Sequence, residues 1–217
     1  MQIKFFYIIK LFIYSLLFIA VLFLNGSGNH TRKLFIYDNS DKLLMDGDLI
    51  FRKGLGFFSD VFSSLGEEKS EFSHIGIIKK ENGIIFVIHT EASEMTGIGE
   101  AQKIPLEEFI SDRNASSGAV YRVETADSYQ KESAVKSALR YIELKIPFDS
   151  DFDLETADRL YCTELVWRAY KSCGIDLAPR KDVINIIPLP NKYRNKQFVS
   201  ISNLIHGGSI RFLKKIK

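Results

Sequence analysis

Residues 72–89 have the sequence FSHIGIIKKENGIIFVIH. Two runs rich in β-branched residues flank Asn82-Gly83, and an Asn-Gly pair between such runs is the strongest short-range signal for a β-hairpin. His74 lies near the start of the first run and His89 ends the second. Because the start of one strand lies beside the end of its antiparallel partner, the pattern predicts that the two histidines are neighbours at one edge of a sheet.

The segments outside this hairpin predict further strands and helices. Residues 94–103 show no clear period and are interpreted as a loop. A helix is predicted after a cap at Asp127 or Ser128, and another is predicted around Cys162 with Gly174 as its stop. The remaining predicted elements are a short helix opening on Pro105 and strands at residues 49–51, 119–123, 198–201 and 209–213.

Cys162 and Cys173 are the two cysteines, 11 residues apart. On one helix they would be about 16 Å apart, which is too far for a disulfide, so both are predicted to be free thiols. Cys162 lies within about one turn of the capping candidates Thr156 and Asp158, and a helix N-terminus favours a thiolate. Cys162 is therefore the candidate nucleophile. A buried, inert cysteine on an apolar helix face is the alternative.

A thiol nucleophile needs a base within hydrogen-bond reach and a third group that orients the base. His74 is the candidate base, because the hairpin places a second polar group beside it. His89, or the nearby Glu91, can accept the second ring proton of His74 and fix its tautomer. The other two histidines are interpreted as bystanders: His30 and His206.

The composition argues against several other classes of protein. The 29 Lys and Arg residues nearly balance the 27 Asp and Glu residues. The net charge of +2 gives no sign of a basic surface that would bind nucleic acid. Cys-x-x-Cys and His-x-x-x-His spacings are absent from the sequence, so no metal site is predicted. The predicted enzyme uses no cofactor.

Residues 1–28 have the layout of a secretory signal or an N-terminal membrane anchor. Lys4 and Lys10 precede an uncharged apolar run at 11–24, and a polar stretch follows. Residues 29–217 then form one hydrolase domain. The expected localisation is export to the cell envelope, with membrane association through residues 5–24 if the leader is retained.

Four blocks of the sequence resemble a known family, and they occur in the family's order. They are 47–51 (GDLIF), 72–77 (FSHIGI), 105–109 (PLEEF) and 161–167 (YCTELVW). Together they resemble the YiiX/YaeF group of permuted papain-fold hydrolases, within the NlpC-type superfamily. The resemblance implies an α+β fold, in which an antiparallel half-barrel sheet packs on helices. It also implies a circular permutation, because the histidine precedes the cysteine, and a bacterial envelope location, periplasmic or membrane-anchored.

The resemblance carries a set of catalytic residues onto this chain. Cys162 matches the nucleophile and His74 matches the base. Close relatives have a glutamate 15 positions after the base, where this chain has His89, so His89 is the expected orienter and Glu91 the alternative. The implied activity is thiol-dependent hydrolysis, through an acyl-enzyme, of an amide or ester bond in an envelope peptide, an acylated amino acid or a lipid. Lipid acyl transfer, or a catalytically idle envelope-binding protein, are the alternatives.

Overall fold

The computed structural model describes residues 41–93, 96–184, 193 and 195–217. The predicted leader, residues 1–28, lies outside these ranges, and so does His30. Among the residues that are described, no helix has the length and apolar character needed to cross a membrane.

The described residues form two antiparallel sheets and five helices. The strands are β1 (Leu49–Lys53), β2 (His74–Glu81), β3 (Ile84–Ala92), β4 (Gly99–Pro105), β5 (Ser117–Val123), β6 (Asp182–Val183), β7 (Gln197–Phe198) and β8 (Ile210–Lys215). The helices are α1 (Gly56–Ser63), α2 (Leu106–Phe109), α3 (Ser128–Glu143), α4 (Cys162–Lys171) and α5 (Ile201–His206). The main sheet has the order β4-β3-β2-β1-β5-β8, and β6 pairs with β7.

The predicted hairpin is confirmed, because β2 pairs with β3 in an antiparallel ladder. Asn82 and Gly83 have φ values of 52° and 78°, as a tight two-residue hairpin turn requires. Gly76 lets the two strands approach closely, since a Cβ at this position would lie 2.4 Å from Cγ1 of Val87 and 3.2 Å from Cβ of His89. The second histidine is therefore held tightly against β2.

The main sheet is covered on both faces, because side chains alternate along each strand. On one face, Leu49, Phe51 and Ile75 join the core that contains residues of α3 and α4. On the other face, Ile50 and Ile78 pack in a separate core with the residues of α2. Helix α4 packs on β2 and β3, so its N-terminus is held close to the strands that carry the two histidines.

The structure corrects two predictions of secondary structure. Residues 99–103 of the predicted loop belong to β4, an edge strand that continues to Pro105 and pairs with β3. Gly99 is needed there, because a Cβ would lie 1.8 Å from the carbonyl oxygen of Glu91. The strand predicted at 198–201 ends at Phe198, because Ser200 begins α5 with a capping box. Both errors arise where long-range pairing or capping overrides a weak local pattern.

Candidate active site

Helix α4 begins at Cys162, with Tyr161 as its N-cap. The predicted caps Thr156 and Asp158 are wrong, because bends and a bridge separate them from the helix. Thr156 Oγ1 donates instead to the carbonyl of Asp153. No side chain caps the helix. The first turn of α4 therefore presents backbone N–H groups beside the sulfur of Cys162, and the N–H of Ile75 on β2 also contacts this sulfur.

The surroundings of the Cys162 thiol favour its neutral form. Burial raises its pKa to about 12, and the charge of Glu91 acts in the same direction. The backbone N–H groups of Ile75 and Thr163 and the charge of Arg52 oppose this rise but do not overcome it. The raised pKa opposes the thiolate that a helix N-terminus favours, because desolvation at this half-buried position outweighs the effect of the helix N-terminus.

His74 and His89 form a hydrogen-bonded pair, as the hairpin predicts. Nε2 of His74 lies 2.9 Å from Nδ1 of His89, and the two rings are nearly perpendicular, at 85°. Both side chains are buried. Burial, and secondarily the charge of Arg52, lowers the pKa of His74 well below its ordinary value. Burial likewise lowers the pKa of His89, so both imidazoles are uncharged at neutral pH.

The structure brings His89, and not Glu91, into hydrogen-bond contact with His74. Glu91 instead forms an ion pair with Arg52, whose side chain is only 4% exposed. Nε2 of His89 is buried and has no hydrogen-bond partner in the part of the chain that the structure describes. Of the two orienting groups considered, only His89 has the geometry for the role.

A cavity of about 680 Å³ opens beside Cys162 and His74. One wall is apolar and belongs to a separate small core of aromatic and aliphatic side chains. Phe152 lies at its centre, with ring centroids 5.1 Å from Tyr161 and 5.7 Å from Phe62. The polar lining includes Gln102, Arg113, Asn114 and Ser150.

The remaining histidine and cysteine of the described chain lie away from this cavity lining. Cys173 follows the end of α4, and its thiol donates to the carbonyl of Tyr170 at 3.0 Å. Both cysteines are free thiols, as predicted. His206 is an exposed residue at the end of α5, 3.9 Å from Glu68.

Sequence reasoning missed two residues of the site, Arg52 and Phe109. Arg52 follows the apolar run Leu49–Phe51 on β1, and a charged residue at the end of a buried strand was a usable signal. Phe109 ends α2, and its ring stacks on His74 with a centroid distance of 5.5 Å. Sequence alone offered no means of pairing this ring with the histidines.

An antiparallel sheet that carries a histidine pair, packed against a helix that begins at a cysteine, is the layout of a papain-like cysteine hydrolase. A family model described as "Permuted papain-like amidase enzyme, YaeF/YiiX, C92 family" matches residues 43–196, and the chain belongs to this family. The protein is therefore an enzyme of the permuted papain-like amidase type. Membership confirms the α+β fold that the sequence blocks implied.

A solved structure with similar architecture is that of a protein described as "metalloprotein yiiX from Escherichia coli O157:H7". The two sequences are 21% identical, the match covers 79% of this chain and 97% of that one, and the TM-score is 0.65. At this level of identity the similarity supports the fold alone. No curated protein matches the sequence.

Three side chains of this protein lie close enough together to be considered as metal ligands. His74, His89 and Glu91 are the candidate ligands, with ligand atoms within 4.8 Å of one another. The facing nitrogens of the two imidazoles already share one hydrogen bond, and Glu91 is held by the Arg52 guanidinium. A cation here would have to displace that interaction beside a buried positive charge. The arrangement does not fit a resident metal ion.

Glu164, the third residue of α4, gives a testable pH dependence of stability. Its side chain is buried, Oε1 accepts from Nε of Arg168 at 2.7 Å, and Oε2 has no hydrogen-bond partner in the described ranges. Burial raises the pKa of Glu164 to about 7, against an ordinary value of 4.5, and Arg168 opposes the rise. Since the folded state holds the proton more tightly, this group stabilises the fold fully below about pH 4.5, and the contribution is lost as pH rises through about 7.

We therefore expect Glu164→Gln to remove one component of the pH dependence. Between about pH 4.5 and pH 7.5, the free energy of unfolding of the wild type should fall by about 3 kcal/mol relative to the variant. Urea unfolding at several pH values in this range measures the difference. Parallel pH profiles for the two proteins would contradict the raised pKa.

Proposed function

We propose that this enzyme hydrolyses an amide or ester bond with Cys162 as nucleophile, His74 as general base and His89 as the residue that orients the base. The observation that carries this proposal is the joint position of the thiol and the first imidazole on one cavity. The hydrogen bond between His74 and His89 uses Nε2 of His74, so Nδ1 is the ring nitrogen that remains to accept the thiol proton.

Because the thiol of Cys162 and the imidazole of His74 are both uncharged before the reaction, the first step includes transfer of the thiol proton. As the sulfur of Cys162 attacks the substrate carbonyl, the thiol proton passes to Nδ1 of His74, and Nε2–H of His74 donates to Nδ1 of His89. Backbone N–H groups at the start of α4 are placed to stabilise the oxyanion. The imidazolium of His74 then protonates the leaving amine or alcohol. Water, deprotonated by His74, releases the acyl group from the sulfur.

For the substrate, we favour an acylated amino acid or a lipid over an envelope peptide. The apolar wall formed by Phe62, Phe152 and Tyr161 suits an aliphatic acyl chain, since such a pocket excludes water without offering hydrogen bonds. The polar lining, which includes Arg113 and Asn114, suits the more polar part of the substrate. The sequence of residues 1–28 supports a substrate at the cell envelope.

Hydrolysis of N-acyl amino acids of increasing chain length tests the proposed substrate class. We expect kcat/KM to rise about fourfold for each added methylene until the cavity is filled, because each buried methylene contributes about 0.8 kcal/mol. Phe152→Ala should weaken this dependence. Phe212→Ala is the matched control, because Phe212 is 52% exposed on β8 and absent from the cavity lining.

The same assay separates the competing functions. A flat dependence on chain length, with faster cleavage of short peptides, would contradict the acyl preference. When an amine or a lysolipid is present, products that carry the acyl group on that acceptor would identify an acyltransferase. No turnover of any substrate, with Cys162 no more reactive than Cys173 toward an alkylating agent, would identify an idle binding protein.

A further inference from the structure

Arg52 lies in the wall of the active-site cavity and contacts two neighbours of the His74–His89 pair, Phe109 and Glu91. On the ladder between β1 and β2 it is the register partner of His74. Its Nη1 donates to the carbonyl of Phe109 at 2.9 Å, and its Nη2 pairs with the carboxylate of Glu91. Its guanidinium carbon lies 4.4 Å from the centroid of the Phe109 ring. Arg52 therefore holds Phe109 by both its backbone and its ring.

Both imidazole rings pack against the ring of Phe109. Its buried ring stacks on His74, with an interplanar angle of 29°, and meets the ring of His89 nearly edge-on, at 5.1 Å and 81°. The orientation of the histidine pair thus depends on the position of one phenyl ring. The position of that ring depends on Arg52.

Stability alone is a weak reason to bury this arginine. A buried cation loses its hydration, and Nε of Arg52 has no hydrogen-bond partner within the described residues. An apolar side chain at the end of β1 would fill the same space without that cost. Costly buried charges of this kind occur where a site needs a fixed charge.

We propose that Arg52 is a positioning residue for the general base: through its contacts with Phe109 it fixes the orientation of both imidazole rings, and it places a fixed positive charge beside them. This inference rests on the proposed role of His74. It adds to that role a cause for the fixed orientation of the base, while burial and, secondarily, the charge of Arg52 keep His74 able to accept the thiol proton.

The charges around His74 and His89 determine the direction in which the pKa values of these histidines should change when Arg52 is replaced. Burial is the largest cause of the lowered pKa of both histidines, and the positive charge of Arg52 lowers both further. For His89 the charge of His74 also lowers the pKa, and the negative charge of Glu91 raises it. Loss of the Arg52 charge should therefore raise both pKa values. The groups that face the pair are Arg52 from β1, Glu91 from β3, Cys162 from α4 and the uncharged ring of Phe109 from α2.

The test is an NMR titration of ¹⁵N-histidine-labelled full-length protein that carries Cys162→Ala, so that neither substrate nor turnover is needed. In Arg52→Met we expect the pKa of His74 to rise, because the charge that helps to lower it is lost. Arg52→Lys, which keeps the charge, should show less than half of that rise. Glu91→Gln is the matched control, because it removes the other half of the ion pair and should leave the pKa of His74 unchanged or lower.

A second measurement uses the active enzyme. In Arg52→Met, the fall of kcat/KM at acid pH should begin at a higher pH than in the wild type, by the same amount as the His74 pKa rises in the NMR titration. Activity should be partly recovered at high pH. A uniform loss of activity, with the acid fall of kcat/KM and both histidine titrations unmoved, would show that Arg52 is only structural. If Arg52→Met does not fold, a rise in the His74 pKa in Glu91→Gln would overturn the inference. If His74 is not the base, His74→Gln should keep its activity. That result tests the proposed function and is distinct from the results for Arg52.

Discussion

Cys162→Ala is expected to lower kcat/KM by about 10⁴-fold or more, the usual cost of removing a catalytic nucleophile. The sulfur is the only atom of this side chain that can form an acyl-enzyme, and its position at the first turn of α4 cannot be taken over by Cys173, which lies beyond the other end of that helix. Initial rates on an N-acyl amino acid measure the loss. Intact-mass analysis should detect an acyl adduct on the wild type and none on the variant.

Cys173→Ala is the matched control for this change. Cys173 is a partly buried thiol whose hydrogen bond to the Tyr170 carbonyl is local, so its removal should leave kcat/KM within about twofold of the wild type. An acyl adduct that persists in Cys162→Ala but disappears in Cys173→Ala would reverse the assignment of the nucleophile.

His74→Gln is expected to lower kcat/KM by about 10³-fold. Because the resting thiol of Cys162 is neutral, the reaction needs a group that accepts its proton during attack, and glutamine cannot do so. The pH profile provides an independent check. Since the pKa of His74 is lowered, its basic form persists below pH 6.5, so kcat/KM of the wild type should stay level as pH falls through that value.

His206→Gln provides the comparison for His74→Gln, because His206 is an exposed residue on α5. It should leave both the rate and the pH profile unchanged. Alkylation of Cys162 by iodoacetamide offers a substrate-free measurement, in which His74→Gln should slow the reaction. An alkylation rate and a hydrolysis rate that are both insensitive to His74→Gln would show that another group removes the thiol proton.

The part of the site that could be predicted from sequence is the part that local pattern determines. The Asn82-Gly83 turn sets the pairing of β2 with β3, and this pairing alone brings His74 beside His89. The helix that carries Cys162 has a clear apolar stripe, with Leu165, Val166 and Ala169 all buried, so its existence was also predictable.

The features that escaped prediction depend on burial and on distant contacts. The pKa of Cys162 is raised because the folded chain desolvates the thiol, and no local motif reports the depth of a side chain. The contact of Arg52 with Phe109 joins residues from β1 and α2 that are far apart in the sequence. Strand β4 exists because β3 offers it a partner, and its own residues carry little β-preference.

The order of elements along the chain has a consequence for how the enzyme is made. Synthesis proceeds from the N-terminus, so the strands that carry both imidazoles leave the ribosome before the helix that begins at Cys162. Until α4 emerges, the nascent chain lacks the proposed nucleophile, and the residues Ile75, Ile77 and Ile88 lack part of the apolar surface that covers them. We therefore expect a translation product that stops short of α4 to be inactive and prone to aggregate, so that the capacity for hydrolysis arises only once α4 has been made.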